Sequence, residues 1–337
     1  MADHTQKGSF VSAQRVAELA GVSRSAVSRT FTEGASVSDA TRAKVLQAAE
    51  ALGYHVNHLA RGLIHERSDL VCLVAADIDT PFRSQFLDAL TRRLQTVNKV
   101  AMVINTSGDA PSVARALKQT LNYRAAATVV LSGSPAPALI ETCVANGQHV
   151  ILINRDDRLP GPETIVVDSE TAAREAFFLL RRAGCKRLAV VSSVAGTPSI
   201  LARERGFQQA AEAEGITVSI TRAGPTTYRS GVDAASALFS RAESPDGVFC
   251  TTDLLACGFM DAARNAFNLS IPDDLCVIGF DDIEQAGWSS YELTTFRQPI
   301  EQVTDKIVAL IVGGDAAPNT TERFQPTPVW RKSVRPR

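Results

Sequence analysis

From Leu70 onward the chain alternates short, uninterrupted apolar runs with longer stretches of helical periodicity, and few folds accommodate that alternation. Leu70-Val71-Cys72-Leu73-Val74-Ala75 reads as a strand, Phe82 to Leu94 as a helix, Val100 to Ile104 as a strand and Val113 to Leu121 as a helix. The pattern continues through Ala127 to Leu131, Ala136 to Ala145 and His149 to Ile153. A strand that is apolar on both faces must be covered on both, so a parallel sheet with helices on either side is expected. A second set begins near Asp168, with strands at Arg187 to Val191, Thr217 to Thr221, Gly247 to Cys250 and Leu275 to Gly279. Helices Glu170 to Ala183, Ile200 to Glu214, Gly231 to Ser240 and Leu254 to Phe267 separate them. Residues 68–337 are therefore predicted to be an α/β core of two doubly wound subdomains.

Residues 11–55 follow a different rule. A helix with Val16, Leu19 and Ala20 on its apolar stripe stops at Gly21, and Ser23 stands where the next helix needs an N-cap oxygen. At ~100° per residue, that second helix gathers Arg24, Ser25, Ser28 and Arg29 into one ~140° sector and leaves Ala26, Val27, Thr30 and Phe31 outside it. Two guanidiniums and two hydroxyls near a helix N-terminus suit reading base edges and holding phosphates in a major groove. A third helix, capped by Ser38 and stopped by Gly53, carries Val45, Leu46, Ala49 and Leu52 as its buried stripe. Such a head also exists as a plain structural hairpin; the segment after it and the long α/β remainder favour DNA reading.

Composition sets bounds on the rest. With 45% hydrophobic and 21% charged residues, 337 residues suffice for a large core and two or three domains. Residues 1–10 are polar and lack an apolar signal core, and no run approaches the ~18 apolar residues of a membrane span, so a flexible leader and a cytoplasmic protein with no membrane partner are expected. The net charge of −1 divides into +2 over residues 1–68 and −3 over the remainder, which permits nucleic acid binding without requiring it. Cys72, Cys143, Cys185, Cys250, Cys257 and Cys276 show no CxxC spacing and read as reduced, buried fillers; neither a metal nor a cofactor is expected. GxGxxG after a first strand, GxxxxGK[ST], GxSxG and HExxH are all missing from the sequence, and His149 is the only histidine outside the first 68 residues, so an enzyme is not expected.

In doubly wound sheets ligands bind beyond the carboxyl ends of the strands. The loops there hold Asp77-Ile78-Asp79-Thr80-Pro81-Phe82, Asn154-Arg155-Asp156, Thr251-Thr252-Asp253 and Phe280-Asp281-Asp282. Carboxylates that accept hydroxyl protons, guanidiniums that donate in forks and an aromatic plate together suit a polyhydroxylated ligand. Humbler roles are open to the same residues: Asp253 as N-cap of a helix from Leu254, Arg155 in an ion pair with Asp156 or Asp157, Asp282 in a turn, and Phe82 as core.

The run Val16 to Arg29, then Val37-Ser38-Asp39-Ala40-Thr41-Arg42-Ala43-Lys44-Val45 and Leu52-Gly53-Tyr54, resembles the lac repressor (LacI/GalR) family of transcription regulators. The resemblance covers nearly the whole chain. Thr252-Asp253-Leu254-Leu255-Ala256-Cys257-Gly258, Ile271-Pro272-Asp273-Asp274-Leu275 and Gly279-Phe280-Asp281-Asp282 are similar to signatures of that family's periplasmic-binding-protein-like effector domains. It implies a helix-turn-helix head over residues 11–55, a hinge helix and linker over 56–67, and an effector-binding and dimerisation core over 68–337. DNA contact is implied for Ser23, Arg24, Ser25, Ser28 and Arg29 in the head and for Asn57, Ala60, Arg61 and Leu63 in the hinge, with Leu63 as a minor-groove wedge. Asp253 and Arg203 would hold the effector with Phe82 against it, and Arg155, Asp281 and Gln298 are further candidates by position.

Three departures from the family pattern stand out. Val56 replaces the usual proline, and Gly62 inside the hinge costs about 1 kcal/mol relative to alanine, so the hinge helix is expected to need DNA to form. Thr226 stands five residues before Gly231 where several sugar-binding members have an aromatic, with Tyr228 as a neighbouring stand-in; a roomier or more polar pocket, or one tuned to a phosphorylated or acidic sugar, follows. The expected protein is a homodimeric repressor on a near-palindromic operator, modulated by a sugar or sugar derivative. The alternative is a solute-binding sensor without autonomous operator binding.

Overall fold

The computed structural model describes residues 10–32, 34–55, 69–131, 135–155, 161–240, 244–313 and 321–336. The chain divides into two compact units, Met1–Ser68 and Asp69–Arg337. The expected hinge residues Asn57, Ala60, Arg61 and Leu63, with Val56 and Gly62, lie outside the described residues, as do Asp156 and Asp157.

In the first unit α1 (Ala13–Ala20), α2 (Arg24–Thr30) and α3 (Asp39–Leu52) enclose a small core of Val16, Ala17, Val27, Val45, Ala48 and Ala49. Local chemistry sets the boundaries. Gly21 and Gly53 end their helices at φ 64° and 62°, and the Ser23 and Ser38 hydroxyls accept from the N–H groups of Ala26 and Thr41. The expected stripes need correction: Leu19 and Leu46 are exposed, at 57% and 47%, while Ala17 and Ala48 are buried. The inward positions run 13, 16, 17, 20 and 45, 48, 49, 52, which is the i, i+3, i+4, i+7 series, and small alanines at the crossings let short helices approach closely.

Among its described residues the second unit holds two parallel sheets. The first is ordered β11-β5-β4-β3-β1-β2, from β1 (Leu70–Ala76), β2 (Val100–Thr106), β3 (Ala127–Val130), β4 (His149–Ile153), β5 (Glu163–Val167) and β11 (Thr321–Phe324). On one face lie α4 (Pro81–Thr96) and α11 (Ile300–Gly313), burying Phe86, Leu90, Leu94, Val303 and Ile307; on the other lie α5 (Ala110–Asn122) and α6 (Pro137–Ala145), burying Val113, Leu117, Ile140 and Cys143. The second sheet, β7-β6-β8-β9, comes from β6 (Leu188–Ser192), β7 (Ser219–Arg222), β8 (Gly247–Cys250) and β9 (Cys276–Ile278). It is covered by α7 (Ser169–Arg182) with α8 (Pro198–Ala213) on one face, and by α9 (Tyr228–Phe239) with α10 (Asp253–Phe267) on the other. Close helix contacts need glycine: a Cβ on Gly258 would stand 1.9 Å from the Tyr228 carbonyl oxygen, and one on Gly231 2.1 Å from that of Leu255.

The two subdomains are not successive halves. After β10 (Thr295–Arg297) the chain returns to the first sheet: α11 packs beside α4, Arg93 pairs with Glu301 and Asp305, and β11 adds to β5 in parallel. It then crosses again, pairing β12 (Thr327–Val329) antiparallel with β10 and placing Val334 in the core of the second subdomain. The reading of the sequence missed β5, β10, α11, β11 and β12; Thr-Glu-Arg-Phe carries no apolar run because β11 is an edge strand with alternating exposure. All six cysteines are free and buried. Among the described residues no helix is long and apolar enough to cross a membrane.

Candidate functional site

The exposed side of α2 is the first candidate. Arg24, Ser25, Ser28 and Arg29 are exposed, whereas Ala26, Val27 and Thr30 are buried, so the polar and apolar sectors separate as their spacing requires. Ser23 is exposed too, its hydroxyl 2.8 Å from that of Ser25 and 3.2 Å from the Ala26 nitrogen. Arg42 of α3 donates to the Thr30 carbonyl at 2.9 Å and fixes the far end of α2, a role its sequence position gave no reason to assign. The outcome is a short helix held at both ends, with two guanidiniums and hydroxyls facing solvent.

In the second unit a cavity of about 110 Å³ opens at the carboxyl ends of the strands, with walls from both subdomains. The first subdomain supplies Asp77 and Thr80 to Arg83, with Asn154 at the end of β4; the second supplies the turn leading into α8, Arg203, Thr226, Thr252 and Asp281; Gln298 comes from the link between β10 and α11. Of the residues expected from the sequence, Phe82, Arg203, Asp281 and Gln298 line this space.

Arg203 and Asp281 form its polar floor. The Arg203 guanidinium lies 3.6 Å over the Phe280 ring, donates through Nη1 to the Thr251 carbonyl at 2.7 Å and stands 3.4 Å from Asp281 Oδ1. Gln298 donates to the same oxygen at 2.6 Å. Burial pushes the Asp281 carboxyl up to about 6, against the pull of Arg203, Gln298 and Arg83. Its φ of 127° is one that non-glycine residues rarely adopt; its N–H is held by the Phe296 carbonyl at 2.9 Å.

Asp253 and Arg155 are placed differently. Asp253 is fully buried behind the cavity wall, its Oδ2 accepting from the Ile283 N–H at 3.0 Å and its Oδ1 from the Thr295 hydroxyl at 2.5 Å. Burial, reinforced by the charge of Asp281, raises its carboxyl to about 7. The N-cap of α10 is Thr252, whose hydroxyl accepts from Leu255, so Asp253 is the first helical residue and not the cap. Arg155 is buried and donates to the Pro135 carbonyl at 3.1 Å. Asp282 binds Arg297 and Arg331, each at 2.6 Å, and ties the crossing strands together. Tyr228 does not stand in for the missing aromatic: its hydroxyl donates to Asp261 on α10 at 2.7 Å, and it is not in the cavity wall. Thr226 does line the cavity, its hydroxyl donating to Ser193 at 3.0 Å.

Arg83 is the residue the sequence reading overlooked. It lies in the first turn of α4, lines the cavity and donates through Nη1 to the Leu131 carbonyl at 3.1 Å; burial lowers its pKa against the opposing pull of Asp281 and Asp77. The signal was its place one residue after Phe82 at a helix opened by proline. Chemically, the cavity joins guanidinium and backbone donors, hydroxyls and a hydrogen-bonded carboxylate around a space for one small polar molecule. Among the described residues no group of three or more His, Cys, Asp and Glu side chains is placed to hold a metal ion.

Comparison with known proteins supplies the remaining context. A family model described as bacterial regulatory proteins, lacI family, matches residues 14–57, and one described as a periplasmic binding protein-like domain matches residues 178–334. The chain is 30% identical over 332 residues to the HTH-type transcriptional regulator GalS of Salmonella typhimurium, covering 96% of this chain and 97% of that protein. It is 29% identical over 326 residues to the HTH-type transcriptional regulator GalR of Escherichia coli, covering 95% and 94%. Its fold is similar to that of the lac repressor dimer crystallised bound to operator and the anti-inducer ONPF, with a TM-score of 0.85, 22% identity and coverage of 97% and 100%.

Proposed function

Because the chain belongs to the lacI family of bacterial regulatory proteins, we propose that it is a transcriptional repressor, not an enzyme, whose hold on operator DNA is set by a small polar effector taken up in the cavity. The observation that carries this reading is the division of α2 into a buried face and a solvent face bearing Arg24, Ser25, Ser28 and Arg29. A short helix docked by one side and charged on the other is what major-groove reading requires. Two chains pair through their cores, and two heads meet adjacent half-sites of a near-palindromic operator, since a two-fold protein calls for a two-fold site. Asn57, Ala60, Arg61 and Leu63 are assigned to the central minor groove by resemblance.

The effector acts by differential affinity. Cavity walls from two subdomains joined by crossing strands change their separation when the subdomains close, so a ligand that binds one closure state better shifts the population of that state. Arg203, Asp281, Gln298 and Phe82 are the contacts we assign, with Asp253 and Arg155 supporting the walls from behind. A coupling of ~1–3 kcal/mol between effector and operator is ordinary for such proteins.

Fluorescence anisotropy with labelled palindromic duplexes at fixed, near-physiological salt tests the reading, because phosphate contacts make affinity salt-dependent. Arg29→Ala is expected to cost about 1–3 kcal/mol of specific operator binding and to leave ligand binding to the core intact. Unchanged operator affinity in that variant refutes the assignment of the head.

A further inference from the structure

Resting on the reading of the cavity as the effector site, we propose that its ligand carries an oxyanion, a carboxylate or a phosphate ester, on a body the size of one sugar ring, and that Arg83 selects for that charge.

The donors come from both walls. α4 and α8 belong to different subdomains, yet both begin at the cavity: Thr80, Pro81, Phe82 and Arg83 line it on one side, Thr197, Pro198, Ser199 and Ile200 on the other. Each helix has proline at its first position, and neither N-cap threonine accepts a bond from its first turn. Two helix N-termini, with the partial positive charge of their unbonded N–H groups, thus meet at one space. Independently, the buried Arg203 has an Nε with no acceptor, and Arg83 has a single hydrogen bond, to the Leu131 carbonyl, among the described residues.

The opposing charges are weaker claimants. Asp281 already accepts from Gln298 and faces Arg203, and Asp77 is exposed at the rim. A neutral pyranose would want aromatic plates, but Phe82 is the one aromatic among the lining residues, Thr226 stands where another would be, and Phe280 is covered by Arg203. A volume of about 110 Å³ is well under the ~300–1,000 Å³ of drug-sized pockets, which limits the ligand to about one ring.

The first test is thermal unfolding of the full chain in chloride, acetate or inorganic phosphate at matched ionic strength. Acetate or phosphate is expected to raise the Tm by about 1 °C or more over chloride, with the rise lost in Arg83→Gln and partly kept in Arg83→Lys. No rise, or an equal rise in R83Q, overturns the inference. Calorimetry with glucose, glucuronate and glucose 6-phosphate, and with the galactose set, then separates the sources. A charged member is expected to bind at least about tenfold tighter than its neutral parent and to lose that advantage in R83Q, with uronate or phosphate ester preferred according to which anion fits. A neutral parent that binds equally well overturns the anion assignment and leaves the effector site standing. Tight binding of a charged member with unchanged operator affinity keeps the anion site and refutes the regulatory reading on which it was built.

Discussion

Gly258→Ala places a methyl where two backbones already touch. Gly258 and Gly231 face each other's helices reciprocally, and a Cβ on Gly258 would stand 1.9 Å from the Tyr228 carbonyl oxygen, against ordinary contact from 3.4 Å. α9 and α10 must therefore part by about 1.5 Å at the crossing, since neither backbone can turn aside as a side chain would. Parting them loosens the packing of Ala234, Ala235, Phe259 and Met260 in a core whose buried members are all below a tenth exposed. Overpacking of this kind costs about 1–3 kcal/mol or more, while alanine returns up to about 1 kcal/mol in helix propensity. A net loss of about 2 kcal/mol is expected. Urea unfolding followed by far-ultraviolet circular dichroism should show it as a fall in midpoint of about 1 M, for a slope of about 2 kcal/mol/M. Gly313→Ala is the control: nothing lies within 4 Å of a Cβ there, and its midpoint should hold or rise slightly. Ligand affinity should fall along with stability, because Thr226 precedes α9 and Thr252 precedes α10, both in the cavity wall. A G258A midpoint equal to wild type would refute the close crossing.

Two further measurements follow. Burial raises Asp253 to about 7 and Asp281 to about 6, from about 3.9 in an unfolded chain, so the folded core holds these protons more tightly than the unfolded chain does. That contribution is fully present below about pH 4 and is lost as pH rises through about 7; the urea midpoint of the core should decline from pH 5 to 8, and Asp253→Asn should flatten the decline, whereas an unaltered slope in the variant would exclude the carboxyl as its source. All six thiols are buried, so an aromatic disulfide reagent should label them only after denaturant is added; one thiol that reacts rapidly in the native protein would contradict the packing.

What the sequence made legible was local or periodic. Gly21, Ser23, Ser38 and Gly53 bound their helices because capping is decided within four residues, and the two faces of α2 separate because 3.6-residue periodicity holds over seven residues. Leu19 and Leu46 misled because hydrophobicity alone does not say which neighbouring position a crossing helix covers. The loops around the cavity were readable from the rule for strand ends, but their inner detail was not. Thr252 and Asp253 are adjacent, each able to cap, and the choice fell to a network with Ile283 and Thr295, thirty and forty-two residues away. Arg83 escaped notice because an arginine in the first turn of a helix is ordinarily a surface residue; its access to the Leu131 carbonyl depends on the pairing of β1 with β3.

The return of the chain to its first sheet sets an order for biosynthesis. β5 is an internal strand only once β11 lies beside it, and α4 has its helical neighbour only once α11 exists. Both arrive after residue 299, when the strands β6 to β9 and helices α7 to α10 of the other sheet have already been made. On the ribosome the subdomain that starts first thus waits for α11 and β11 to cover its open face, and a chain cut short near residue 299 leaves it without them while depriving the other subdomain of β12 and Val334.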